Sequence, residues 1–398
     1  MMTDQCWLIT IQPAIDIIRE FELTANEALI ELSDQDAPQR IVKIRRDYNT
    51  WVANETLEDY ALRFTPHSFR KWSIFRVANT ALGAISFLVL EVIGAALAVN
   101  FGFVNAFWAI LTISLIIFLT SLPISYYAAK YGLDMDLLTR GAGFGYIGST
   151  ISSFVYATFT FILFALEAVI MAYALSMYID LPLYVWYLIS AIIIIPLVTH
   201  GVTLISRIQM ITQPVWIFLM VLPFVFILMK DPDAVRGVMQ FAGASGFDAD
   251  FNIYMFGMAI AIGMALIPQV GEQVDFLRFM PEKTEENRLR WHLGVILAGP
   301  GWIFIGMIKM FAGVLLAYLV LQAGESVEAA VNPTHMYHLA FDYVFSNADV
   351  LLAVTVFFVV LSQIKINITN AYAGSLAWSN FFVTFDPQPS GSCRVAAV

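Results

Sequence analysis

Eight long, almost uninterrupted apolar stretches constrain this chain more than any other feature. They run near 77–99, 103–128, 150–178, 181–200, 208–229, 252–274, 291–321 and 350–382. About 20 helical residues cross a ~30 Å hydrocarbon layer, so each stretch is long enough to span a bilayer. No water satisfies the backbone there, so a spanning segment is either a helix or part of a closed barrel. Barrel strands alternate apolar and polar residues over about ten positions. These runs are continuous, and they predict helices, numbered here span one to span eight. Composition agrees: 13% of the 398 residues are charged and 59% are hydrophobic, whereas soluble domains carry roughly 25% charged residues. The expected fold class is an all-α integral membrane protein.

Lys and Arg positions set an orientation independently. Arg40, Lys43, Arg45, Arg46, Arg70, Lys71 and Arg76 precede span one, Lys130 and Arg140 follow span two, Arg207 follows span four, and Arg278, Lys283, Arg288 and Arg290 follow span six. The opposite loops hold only Lys230 and Arg236. The positive-inside rule then puts the N-terminus in the cytoplasm of a multi-pass protein of the plasma or inner membrane. Three regions follow: a cytoplasmic tail (1–75) with an interfacial segment ending in FRKWSIFR, a membrane domain (76–382) and a polar tail (383–398). The net charge of −10 comes without a basic patch, so no nucleic-acid partner is expected. Cys6 and Cys393 sit near opposite ends and suggest neither disulfide nor metal site. No nucleophile–base pair or phosphate loop stands out, so no enzymatic activity is expected.

Ionisable residues inside spans carry the functional signal. A charge at a helix centre costs roughly 2.5–3.5 kcal/mol on insertion scales, so it usually faces a cavity or a partner. Glu91 in span one, Glu167 in span three and Lys365 in span eight lie well inside. They suit a solute or proton pathway, and a purely structural Glu–Lys pair would suit them too. Glu272 and Asp275 fall near the interface at the end of span six, and Lys309 in span seven reads as a packing or snorkelling lysine. Span eight has two polar stripes at helical spacing: Gln363, Asn367 and Asn370 on one, Ser362, Lys365 and Thr369 on the next. Such stripes line a cavity or glue helices together. Gly94 in span one, and Gly263, Pro268 and Gly271 in span six, are candidate helix breaks five spans apart, as in transporters built from inverted repeats. The run GFGYIG (143–148) has dinucleotide-motif spacing but lacks the strand and βαβ unit that motif needs. A tight loop and close helix packing explain its glycines better.

Three segments resemble the nucleobase–cation symporter family of purine–cytosine permease type: KYGLDMDLLTRGAGFGYIGS (130–149), DFLRF (275–279) and NITNAYAGSLAWSNFF (367–382). The resemblance spans roughly residues 70–382 in order. It implies a leucine-transporter-type fold of two inverted five-helix repeats plus two further helices, with substrate between helices one, three, six and eight. The family's substrate-contacting glutamine of helix three falls on Glu167, and its stacking tryptophan on Leu163. Together with the polar residues inside the spans, the candidate solute-binding residues are Glu167, Glu91, Gln269, Gln363, Asn367 and Asn370. Ser362, Lys365 and Asp275 are the ion-coupling candidates, with Na+ or H+ as the coupling ion. Residues 45–73 also resemble permease-like membrane modules of sensor histidine kinases, which implies a downstream kinase domain as a possible partner.

Ten spans make two five-helix repeats, and eight are found. After Phe382 the chain becomes VTFDPQPSGSCRVAAV. One permitted back-translation of Asp386–Ala396, read one base later, gives THSHPGRVVW, similar to the loop after helix eight in the sensor modules. The expectation is a reading frame lost near residue 384 and a fold truncated after helix eight. The leading functional reading is a secondary transporter of a nucleobase-like or related small polar solute. The alternative is a solute-sensing input module of a sensor kinase.

Overall fold

Span one is not a continuous helix. In the computed structural model, which describes residues 65, 70–244 and 250–385, it begins as the helix Ile74–Gly83 and tightens to a 3-10 turn over Ala84–Ser86. Phe87 is extended (φ −59°, ψ 134°), and the helix restarts at Val89. Ser73 opens it, its hydroxyl accepting from Arg76 N at 3.2 Å. The break contains neither glycine nor proline. Tertiary contacts satisfy the backbone it frees: Ser86 O accepts from Lys309 Nζ (3.2 Å), and Val89 N donates to Glu167 Oε1 (3.4 Å). Gly94, the candidate for this break, lies inside unbroken helix and has a packing role instead.

Six helices among the described residues are long and apolar enough to cross a membrane. The first, Val89–Tyr131, has 43 residues, about twice the length a bilayer needs at 1.5 Å per residue. It reverses at Gly102 (φ 77°, ψ 163°), which ends span one and begins span two without a loop. The segment after span five holds this reversal: Phe103 N donates to Phe241 O, and Ala244 N to Val99 O, each at 2.8 Å. Spans three, five and eight are the helices Gly145–Tyr178, Gly201–Lys230 and Ala348–Phe385.

The remaining spans are bent where proline dictates. Proline lacks an N–H and clashes with the carbonyl four residues back. In span four, Pro196 stands four residues after Ile192, where the helix Leu183–Ile192 ends before Ile194–Thr199. In span six, Pro268 stands four residues after Met264, where Ile253–Gly263 gives way to the 3-10 segment Met264–Gln269, followed by the helix Val270–Leu277. In span seven, Gly299-Pro300-Gly301 separates Arg288–Ala298 from Trp302–Gln322. The eight predicted spans are thus all present as helical segments. Span four differs from expectation in being two helices of 10 and 6 residues rather than one long helix.

Large apolar side chains point outward along the spans, among them Phe161 (66% exposed), Phe218 (61%) and Ile308 (62%). A bilayer accounts for that exposure; water would not. Between spans seven and eight a short helix, Pro333–Asp342, is capped by Asn332 and buries Pro333, Met336, Tyr337, Ala340 and Phe341, the one-sided pattern of a helix laid on the bundle. At the opposite end Arg70 ties three elements together, donating to Met280 O (2.8 Å) and Ala129 O (2.7 Å).

The GFGYIG glycines serve the turn: Gly143 and Gly145 have φ of 103° and 64°, which residues with a Cβ rarely adopt. The expected close packing is found only at the third glycine: a Cβ on Gly143 or Gly145 would meet open space, whereas one on Gly148 would lie 2.9 Å from Phe144 Cβ in the preceding turn. The N-terminal tail expected on the cytoplasmic side and its interfacial segment, apart from residues 65 and 70–75, lie outside the described residues, as does the polar tail after residue 385.

Candidate solute site

Spans one and seven cross at backbone contact. A Cβ on Gly94 would lie 1.9 Å from Met310 O, and one on Gly313 2.0 Å from Glu91 O. This crossing places Glu91 Oε1 3.1 Å from Lys309 Nζ, both side chains fully buried. Tyr337, from the short helix after span seven, donates to the same carboxylate oxygen at 2.7 Å. Lys309 also sits over the Trp216 ring, 5.1 Å from its centroid. The packing or snorkelling expected of Lys309 is therefore corrected: a lysine at this depth cannot reach the interface, and it forms the buried ion pair with Glu91.

Helix three turns Tyr156, Thr160 and Glu167 onto one buried face. Its neighbours approach through glycine. A Cβ on Gly271 of span six would meet the Tyr156 ring at 2.5 Å, and one on Gly374 of span eight would meet Thr160 Oγ1 at 2.7 Å. Gly374 continues the stripe Gln363–Asn367–Asn370, so that stripe faces span three. The second stripe faces span five. Ser362 Oγ accepts from Trp216 Nε1 (2.9 Å), and Lys365 Nζ donates to Gln209, to Thr212 Oγ1 (3.1 Å) and to Gln213 Oε1 (2.9 Å). Lys365 thus meets neutral oxygens and no carboxylate among the described residues. Ser362 and Lys365 are separated from the solute candidates by the width of helix eight.

Unpartnered buried polar atoms gather on the facing sides of spans three, six and eight. Glu167 uses one oxygen on Val89 N, where it caps the second half of span one, and its Oε2 has no partner. Gln269 Nε2 donates to Glu272 Oε2 at 2.7 Å, which leaves Gln269 Oε1 and Glu272 Oε1 unpartnered. Glu272, expected at the interface, is fully buried and lies within electrostatic reach of Glu167. Both amide atoms of Gln363 are unpartnered, as are Asn367 Nδ2 and Asn370 Oδ1; Asn370 Nδ2 meets Asn367 Oδ1 at 3.4 Å. Leaving such groups unmade costs about 1–3 kcal/mol each. Among the solute candidates, Glu167, Gln269, Gln363, Asn367 and Asn370 lie on these sides, while Glu91, in the first turn of the second half of span one, is engaged through Oε1 and has an unpartnered Oε2. A surface depression lined by Trp108, Thr112, Phe251 and Phe256 lies apart on the outer face and has no ionisable lining.

Asp275 belongs elsewhere. It accepts from Tyr156 OH (3.2 Å) at the Arg70 end of the bundle. There Arg278, fully buried, lies 3.9 Å from Asp134 and donates to Tyr372 OH at 2.7 Å. Asp134 itself caps the short helix Met135–Thr139. The loop after span two, the end of span six and span eight are therefore clasped around one guanidinium.

Sequence reasoning missed Tyr337, Trp216, Gln209 and Gln213. Gln209 and Gln213, four residues apart in an apolar run, could have been read as a polar face. Tyr337 carried no signal, because its partner is 246 residues away.

No protein-family profile and no curated protein sequence matches the chain. Among solved structures it is similar to that of MHP1, a nucleobase-cation-symport-1 family transporter, in a closed conformation with bromovinylhydantoin bound. The identity is 18%, the TM-score 0.63, and the match covers 83% of this chain and 71% of that one. At that identity the likeness establishes the fold: an all-helical membrane architecture of the leucine-transporter type.

Proposed function

We propose that this protein is a secondary transporter that carries a small polar solute between helices one, three, six and eight. One observation carries the reading. Spans one and six, five apart, are both broken at mid-depth, and a buried set of unpartnered polar atoms on spans three, six and eight lies beside the breaks. Broken helices expose backbone groups to a solute and mark the binding region in transporters of inverted-repeat design. The likeness to a nucleobase–cation symporter supports a nucleobase-like or related solute. Alternating access would open the site first to one face and then to the other, with the Arg70 end cytoplasmic, as the basic residues suggest. No observation favours the sensor reading or a kinase partner.

Coupling is read as proton rather than sodium. The Ser362 hydroxyl is engaged on both sides, donating to Phe358 O (2.8 Å) and accepting from Trp216 Nε1, and the Lys365 ammonium takes the span-five oxygens nearby. The test is uptake by the full chain in liposomes, for a solute chosen by thermal stabilisation from a panel of nucleobases and related small polar compounds. A pH gradient should drive accumulation, a sodium gradient should not, and Asn367→Leu should abolish it. Sodium-driven uptake would overturn the proton assignment. Uptake unaffected by Asn367→Leu would remove the site.

A further inference from the structure

The free hydrogen-bonding capacity of the site is unbalanced. Its unpartnered acceptor atoms are Glu167 Oε2, Glu272 Oε1, Gln269 Oε1, Gln363 Oε1 and Asn370 Oδ1, whereas its unpartnered donor atoms among the described residues are Gln363 Nε2 and Asn367 Nδ2, each with two N–H groups. Two of the acceptors are carboxylate oxygens. Glu167 and Glu272 are both fully buried, and neither forms an ion pair among the described residues. Lys309 is paired with Glu91 and also acts electrostatically on Glu167, Arg278 is held by Asp134 and Tyr372, and Lys365 by the span-five oxygens, so Glu272 is the carboxyl group that none of these three basic groups engages. A solute satisfies such a site by supplying what it lacks, namely N–H donors and positive charge.

We propose that the solute is an organic cation rich in N–H donors, of the amidinium or guanidinium class, held between the free carboxylate oxygens of Glu167 on span three and Glu272 on span six. The side-chain amides of Gln363, Asn367 and Asn370 complete the contact from span eight. This rests on the proposed solute site and gives it a chemical class. A charge-assisted N–H···O bond to a carboxylate is shorter and roughly twice as strong as a neutral one, so the cation is preferred over a neutral isostere. An anion is rejected, because burial beside two carboxyl groups already disfavours negative charge there, whereas a cation favours their ionised form.

Acetamidinium, acetamide and acetate are isosteric and differ in charge and donor count. Binding of each to the full chain in lipid nanodiscs, read by thermal stabilisation, tests the proposal. Acetamidinium should bind about tenfold tighter than acetamide, the gain of one charge-assisted bond, and acetate weakest. Glu167→Gln and Glu272→Gln keep shape while removing charge. Each should shrink the preference for acetamidinium severalfold with acetamide affinity retained. Equal or tighter binding of acetamide, no detectable binding of acetamidinium, or a preference that survives both substitutions together overturns it. Asn367→Leu separates this failure from that of the site. If Asn367→Leu weakens every probe that binds, the site stands and only the charge assignment falls. If it changes none, the solute site itself is misplaced.

Discussion

Lys309 and Glu91 show how much one buried pair demands of its surroundings. The pair is stable only because Tyr337 and Ser86 O take further bonds and Trp216 lies beneath the ammonium. Removing one partner of such a pair leaves an uncompensated charge and costs about 3–5 kcal/mol, while replacing both by neutral groups of similar volume is often tolerated. Lys309→Ala should therefore lower the thermal midpoint of the purified protein steeply. The double change Glu91→Gln with Lys309→Met should recover most of the loss, and parallel melting curves of the three proteins check this. Glu91 and Lys309 were each legible as intramembrane charges. Their pairing was not, because 218 residues of chain separate them and the backbone crossing that joins them depends on two glycines far apart.

Those glycines act at the scale of the element. Gly94 and Gly313 let helices one and seven touch through their backbones, and a Cβ at either has nowhere to go. Gly94→Val or Gly313→Val must push the helices apart. Overpacking of this kind costs typically 1–3 kcal/mol and occasionally more, and here it would also part Glu91 from Lys309. The expected result is loss of a monodisperse peak in size-exclusion chromatography. Gly141→Ala, whose Cβ would meet open space, should leave that peak unchanged. Of the proline bends only that of span six, at Pro268, was read from the sequence; Pro196 and Pro300 mark those of spans four and seven in the structure, while Pro123, Pro214 and Pro223 sit inside continuous helices. The break in span one had no such mark. Ala84–Leu88 is mostly apolar sequence; contacts from Glu167 and Lys309 hold its backbone groups in a non-helical arrangement, and the Ser86 hydroxyl donates to Ser362 O.

Across the whole molecule, the three segments that resemble the permease family converge on one place. Asp134 comes from the first, Asp275 and Arg278 from the second and Tyr372 from the third, and they meet at the Arg70 end. This cluster clasps span six below its break. Neutralising Arg278 should loosen it. In a background with Cys6 and Cys393 replaced by Ser, a cysteine introduced at Gln269 should react severalfold faster with a polar maleimide when Arg278→Gln is added. An unchanged rate would mean that the clasp does not govern access from that end. Tyr337, reaching from its surface helix to Glu91, makes a separate tie to the second half of span one.

By itself the sequence determined that this chain lives in a membrane and where its eight helical spans lie, because an apolar run of bilayer length has few stable alternatives when every backbone group must be satisfied internally. Helical spacing likewise separated the two polar stripes of span eight before any neighbour was known. What faces those stripes was decided by tertiary structure alone. Span three covers one and span five the other, because Gly374 admits Thr160 at one face while Gln209 and Gln213 receive Lys365 at the other. Burial of Glu272, the pairing of Lys309 and the break at Ala84–Leu88 share that origin. Each depends on which helix packs against which, a property of contacts between residues far apart in the chain that no local pattern encodes.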